Sequence, residues 1–162
     1  MRSFDESLPM ALLRAREAAM RSFRPLLAEH DLTEQQWRVL RALTAASPHG
    51  DGSNAPDGPE ASALAASTSL LAPSLSRILS HLERRQLIER HTMAHDQRRS
   101  TIALTARGRA LVAEVAPRSE AIYNQIEEAF GAERLGRLLD ELKDLAELDP
   151  LAPSPPVRTE TP

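Results

Sequence analysis

The chain has 162 residues, a formal net charge of −3 and no cysteine, which excludes a disulfide framework, a thiolate metal site and thiol redox sensing. Its length suits one domain with extensions around a real core, and that core must be aliphatic because Phe4, Phe23, Trp37, Tyr123 and Phe130 are the only aromatic residues. No apolar run approaches the roughly 18 residues of a membrane span, and Arg2, Asp5 and Glu6 break any signal-peptide core, so a soluble cytoplasmic protein with no membrane partner is expected.

The net charge hides an uneven distribution. Residues 71–109 carry eight arginines (Arg77, Arg84, Arg85, Arg90, Arg98, Arg99, Arg107, Arg109) against Glu83, Glu89 and Asp96, a balance of +5 that leaves −8 elsewhere. A basic segment on an acidic body is the footprint of a phosphate-binding surface. A surface laced with salt bridges has the same balance.

In chain order, Ser7 to about His30 reads as a first helix, with Ser7 as N-cap and Pro9 in the first turn. Leu13, Met20, Phe23 and Leu27 form one stripe, and Pro25 within it should kink or break the helix. Arg16 falls inside the stripe, with Arg14 and Arg21 to one side. A buried arginine is costly unless paired, so Arg16 either meets an acidic partner or waits for an anionic ligand. The next helix opens at Thr33, which forms a capping box with Gln36 after the staple residue Leu32. Gln36, Val39, Leu40 and Leu43 face inward and Trp37 lies on the edge, as core filler or as a platform for a ring. Residues 47–59, SPHGDGSNAPDGP, read as a flexible surface loop. Gly50 and Gly52 lack the context of a phosphate loop, and His49 with Asp51 is too little for a metal site.

Glu60 to Ser67 reads as a short helix with Leu64 inward, Thr68 to Leu71 as a turn, and Pro73 as the first turn of a helix ending near Arg85. Leu75, Ile78, Leu79 and Leu82 mark its core face, leaving Ser74, Arg77, Ser80, His81, Arg84 and Arg85 off that stripe. Ser74 and Arg77 stand in the N-terminal part of the helix, where a recognition helix meets base edges, and arginine is the commonest bidentate reader of guanine. Leu87–Thr92 and Ser100–Leu104 read as a two-stranded wing around MAHDQRR, whose Arg98 and Arg99 suit a narrow minor groove, with Asp96 close enough to brace Arg98. Thr105 caps a helix to about Ala129, with Leu111, Val115, Ile122 and Ile126 as its stripe and a bend expected at Pro117. After Gly131 a last helix, about Glu133–Glu147, carries Leu135, Leu138, Leu139, Leu142 and Leu145. These helices hold more apolar surface than a small winged lobe covers, which points to a dimer interface or to an internal helical layer. The proline-rich residues 149–162 have no periodicity and read as a disordered tail.

The fold class that follows is mainly α (α+β), a winged helix-turn-helix lobe with a helical dimerisation region formed by the N- and C-terminal helices. An enzyme is disfavoured: no Ser/His/Asp or Cys/His pattern, HExxH or nucleotide loop is present, and the five histidines are scattered. No catalytic residue, metal site or cofactor is expected.

LTEQQWRVLRAL, LAPSLSRILSHLERRQLIER, the DQRR wing and LTARGRALV together resemble the MarR family of winged-helix regulators over about residues 8–148. Within it, LLRAREAAMRSFRPLL followed by LTEQQWRVLRAL resembles the branch that represses homoprotocatechuate-degradation operons. The resemblance implies a single domain over 7–148, with the DNA-binding lobe at 33–109 and dimerisation helices at 7–30 and 110–148. It implies a homodimer on a near-palindromic operator, with Pro73, Ser74, Ser76 and Arg77 in the major groove, Arg98 and Arg99 in the minor groove, and Asp96 bracing the wing. It also implies an aromatic carboxylate effector, such as 3,4-dihydroxyphenylacetate, held between dimerisation helices and lobe. Arg14, Arg16, Trp37 and Arg38 are the candidates, since an arginine pairs a carboxylate bidentately and an indole stacks on a ring. The loop at 47–59 is longer than the family's usual connection, and the lack of cysteine excludes the peroxide-sensing branch. A ligand-independent winged-helix or architectural DNA binder, or a regulator of a different phenolic or drug response, are the alternatives.

Overall fold

The computed structural model describes residues 3–46, 58–93 and 96–148, with only the backbone at 5 and over 92–99. The tail at 149–162 and all but the end of the Gly/Pro-rich loop lie outside those residues. Among them, a 3-10 turn at Phe4–Glu6 precedes α1 (Leu8–Glu29), α2 (Glu34–Ala46), α3 (Ala61–Thr68), α4 (Ala72–Arg84), β1 (Ile88–Met93), β2 (Asp96–Leu104), α5 (Ala106–Phe130) and α6 (Ala132–Ala146). The chain forms two compact units, one through Ile122 and one from Tyr123 onward. No helix among the described residues is long and apolar enough to cross a membrane.

The first unit is organised by helix ends that its sequence specifies closely. Thr33 and Gln36 make the expected reciprocal box: Thr33 N–H donates to Gln36 Oε1 (2.9 Å) and Gln36 N–H to Thr33 Oγ1 (3.2 Å). Three helices close through a left-handed residue, Asp31, Ser69 or Gln86, none of them glycine. In each case the next residue reaches back over the last turn, as Leu32 N–H does to Leu27 O, Leu70 N–H to Ala65 O and Leu87 N–H to Leu82 O. These reversals fold α1, α2, α3 and α4 onto one aliphatic core that includes Leu27, Leu40, Leu43, Leu64, Leu75, Leu79 and Leu82. Each such leucine contributes about 1.5–3 kcal/mol by leaving water.

Several expectations need correction. Of the kink or break expected at Pro25, the break does not occur: α1 runs through it, as α5 runs through Pro117, where a bend and no break was expected. Phe23, Leu26 and Leu27, buried on either side of Pro25, hold the chain helical through the missing hydrogen bond. Ser7 occupies the N-cap position of α1 without a side-chain cap bond. Glu60 precedes α3 instead of opening it, and pairs with Thr101 on the edge of β2 while Ile102 N–H donates to Pro59 O (3.1 Å). The second wing strand starts at Asp96 instead of Ser100. The pairing runs regularly from Ile88↔Leu104 to Thr92↔Ser100 and then shifts, so that Met93 faces Asp96.

Thr105 caps α5 as expected. Its Oγ1 accepts from Gly108 N–H (3.0 Å) and donates to Gln86 O (2.7 Å), fixing α5 to the end of α4. Gly108 sits where the helix meets the backbone of Leu87: a Cβ there would lie 2.0 Å from Leu87 O. Gly108→Ala is therefore expected to destabilise the protein by about 2–3 kcal/mol, as overpacking against rigid backbone does. Urea unfolding at unchanged m-value checks it, and a midpoint equal to the parent's would contradict this reading of the contact.

The second unit contains the end of α5, Gly131 at φ 92° and α6. Arg134 lies over the Phe130 ring, 4.4 Å from its centroid. No residue of α6 is buried, although Leu135, Leu138, Leu139, Leu142 and Leu145 recur at helical spacing.

Candidate functional site

One face of α4 is fixed by the core and the other is turned outward. Leu75, Ile78, Leu79 and Leu82 are buried, and the residues between them turn outward: Pro73, Ser76 and Arg77 are exposed and Ser74 is half-buried. Pro73 stands in the first turn, and Leu71 at the N-cap makes no side-chain cap bond. The first turn thus presents backbone N–H groups beside small side chains, a surface that admits a close anion. Ser80 Oγ turns back onto Ser76 O (3.0 Å), which lowers the profile of this face. Leu71 is 79% exposed. Sequence reasoning placed it in a turn and missed it. Its signal is a large apolar residue directly before the helix that carries Ser74 and Arg77.

The basic segment divides into structural and outward-facing arginines. Arg85 donates to Asp31 O (2.5 Å) and His30 O (3.0 Å), closing the carbonyl end of α1. Arg109 donates to Leu104 O (2.6 Å), and Arg90 lies 3.3 Å from Glu83, joining β1 to α4. Arg77, Arg84 and Arg107 are exposed. Arg98 and Arg99 belong to β2 where the register shifts, not to a loop between strands. Their side chains, and the expected Asp96–Arg98 brace, lie outside the described residues.

The effector candidates separate. Arg16 is not buried in an apolar stripe: its side chain is 42% exposed, because the N-terminal half of α1, with Leu8, Leu12 and Leu13, is itself uncovered. It has instead met acidic partners. Arg16 Nη1 donates to Glu17 Oε1 (2.7 Å) and Nη2 to Glu34 Oε2, while Arg24 bonds Glu34 Oε1 and Glu17 Oε2 (2.5 Å each). Two arginines and two glutamates of α1 and α2 thus form one closed network. Burial pushes the Glu34 carboxyl up, yet hydrogen bonds from Arg24 and Arg16 outweigh it and hold the group below the usual carboxylate range. Glu17 is lowered chiefly by its hydrogen bond from Arg24. Trp37 is 7% exposed and belongs to the core. It stands one turn after Glu34, so ring and network share the start of α2. Arg38 points elsewhere, its Nη1 donating to Thr68 O (3.0 Å) at the end of α3. Arg14 is exposed on α1. Sequence reasoning missed Glu17, Arg24 and Glu34. The spacing of Arg16, Glu17 and Arg24 over two turns of one helix was a readable signal, whereas Glu34 comes from another helix. Among the described residues, no three His, Asp or Glu side chains are grouped to hold a metal.

No protein-family model matches the chain. It is 42% identical over 143 residues to the homoprotocatechuate degradative operon repressor of Escherichia coli, covering 88% of this chain and 90% of that one. It superposes on NadR in complex with 4-hydroxyphenylacetate with a TM-score of 0.75 at 35% identity, covering 92% and 99% of the two chains. It superposes on the transcriptional repressor CouR bound to a 23-mer DNA duplex with a TM-score of 0.74 at 28% identity, covering 88% and 94%.

Proposed function

This chain belongs to the MarR family of winged-helix transcriptional regulators, and on that premise we propose that it is a homodimeric repressor, with no catalytic activity, of an aromatic-acid catabolic operon. It binds a near-palindromic operator and leaves it when a small phenolic carboxylate, such as 3,4-dihydroxyphenylacetate, binds. The observation that carries the DNA half is α4, with a fully buried leucine face and an opposite face of Pro73, Ser76 and Arg77. In this reading Ser74, Ser76 and Arg77 meet base edges, Pro73 and the first-turn N–H groups approach a phosphate, and Leu71 packs on a thymine methyl. Arg98 and Arg99, which follow α4 on the wing, enter the minor groove. The winged lobe spans 33–109, and helices 7–30 and 110–148 supply the dimer region.

The effector half is supported by the 4-hydroxyphenylacetate complex of NadR and by the operon named for the E. coli repressor. On this chain the network around Arg16 offers a guanidinium for a carboxylate, and the largely buried Trp37, one turn after Glu34 on α2, offers at most an indole edge for a ring. Arg14 is exposed on α1, the same helix as Arg16, and Arg38 would have to leave Thr68 O to reach an effector. A carboxylate that captures Arg16 competes with Glu34 and alters how α1 is tied to α2. Repression ends when the two lobes no longer match major grooves about 34 Å apart. A coupling of about 3 kcal/mol would weaken operator binding about a hundredfold, provided the effector prefers the released form by that much.

Titration of the upstream DNA with and without 3,4-dihydroxyphenylacetate tests the whole reading: retention without the acid and release with it are expected. Arg77→Ala should lose about 1–3 kcal/mol of discrimination between operator and scrambled DNA. Arg98→Ala should weaken binding to both and reduce the slope of log K against log salt by about 1. If both variants match the parent on both duplexes at every salt concentration, the DNA assignments are wrong.

A further inference from the structure

Gln36, the second half of the capping box at the start of α2, does more than cap. Its amide nitrogen lies 2.9 Å from Nδ1 of His81 on α4, and the residue is 7% exposed. The box fixes which way the amide points. Thr33 N–H can only donate, so Gln36 Oε1 must face it, and Gln36 Nε2 must face His81. An amide NH2 has no acceptor to offer, so Nδ1 of His81 must accept and the ring proton must sit on Nε2. An imidazolium, with a donor at both nitrogens, cannot keep this bond.

His81 lies one helical turn beyond Arg77, on the helix whose outer face meets DNA. We infer that His81 is a positioning residue for the DNA-reading helix, held by Gln36 as the neutral Nε2–H tautomer, and that its protonation loosens α4 from α2 and weakens operator binding. The inference rests on α4 being the reading helix, and it does not depend on the effector.

The surrounding ionisable groups are distributed as follows. Arg77, Glu83 and Arg84 share α4 with His81, and Arg85 follows at its C-cap. Against that helix pack α2, bearing Glu34, Arg38 and Arg41, α3, which bears none, and β1, bearing Glu89, Arg90 and His91. Glu83 faces Arg90, and Glu34 is held by Arg16 and Arg24. Arg85 is turned to the carbonyls of His30 and Asp31. His91, 3.5 Å from Glu89, is a second imidazole and has to be controlled for.

The test compares the full-length parent, His81→Asn and Gln36→Glu. Asparagine keeps a fixed acceptor at the place of Nδ1 and cannot titrate there, while His91 remains to set the baseline. Glutamate preserves the capping box but offers His81 only acceptors, so it favours a protonated Nδ1. Operator affinity is measured without effector at pH 5.5 and pH 8 and constant ionic strength. The parent should lose about fivefold more affinity on acidification than His81→Asn, the scale of one neutral hydrogen bond, and Gln36→Glu should reverse that excess. Imidazole 15N NMR of the free parent at pH 8 should find the His81 proton on Nε2. A common pH profile for all three proteins, or a proton on Nδ1, would overturn the inference. The NMR result stands without DNA. A parent with the expected tautomer that binds no operator at either pH would instead sink the reading of α4 and, with it, the positioning role.

Discussion

Replacing Leu138 and Leu139 together by glutamate is expected to turn the protein into a monomer and to lower operator affinity by about 10²–10⁴-fold. The reason begins with spacing. Leu135, Leu138, Leu139, Leu142 and Leu145 recur at three- and four-residue intervals over α6, and an amphipathic helix of this kind is stabilised by what covers its apolar face. No residue of α6 is buried, and Leu138 and Leu139 are exposed. The N-terminal half of α1 is in the same position, with Leu8, Leu12 and Leu13 uncovered. In the proposed homodimer a second copy of the chain would cover such faces, and each fully buried leucine would contribute about 1.5–3 kcal/mol. Two glutamates per chain remove that gain and add four like charges to one interface. A monomer still reads one half-site, but it loses the second, which in the dimer binds at the effective concentration set by the first. Sedimentation and operator titration at equal helical content check this. A double variant that sediments as a dimer and binds as the parent does would place the interface elsewhere.

How much of this was legible in the sequence depended on how local each feature was. The capping box of Thr33 and Gln36, the cap at Thr105 and the buried face of Leu75, Ile78, Leu79 and Leu82 lie within a few residues of their partners, and composition and period specify them. No break follows at Pro25 because propensity is weighed against packing: Pro25 lacks one donor, and the buried Phe23, Leu26 and Leu27 outweigh that loss. The start of β2 was hidden because DQRR has no alternation, and the Glu60–Thr101 pairing involves too few residues to leave a pattern. Arg16 shows the same limit at the candidate site. The stripe around it suggested a buried guanidinium in need of a partner; the side chain is in fact 42% exposed, and the partner it does meet, 18 residues on in another helix, left no local pattern. The Gln36–His81 contact spans 45 residues and exists only once α2 and α4 have packed.

The effector reading makes its sharpest demand on Arg16 and Glu34, whose substitutions should act in opposite directions. In the resting network Glu34 accepts from both Arg16 and Arg24, so an incoming carboxylate competes with an existing one. Arg16→Ala removes the cation the effector needs and leaves Glu34 paired with Arg24. The acid concentration for half-release from the operator should then rise about 10–100-fold, the scale of a charge-assisted hydrogen bond of about 1.5–3 kcal/mol. Glu34→Gln keeps the shape of the side chain and removes its charge, leaving Arg16 and Arg24 with Glu17 as their remaining partner in the network. Half-release should then need less acid than in the parent, because the internal competitor has been weakened. Both changes also loosen the tie between α1 and α2, so each variant's half-release is read against its own effector-free operator affinity, and fluorescence anisotropy on labelled operator reads both quantities in one titration. Half-release at the parental concentration in both variants would remove Arg16 from the effector site. A loss of response in both would mean that the intact ion network, not the guanidinium alone, is what the effector requires.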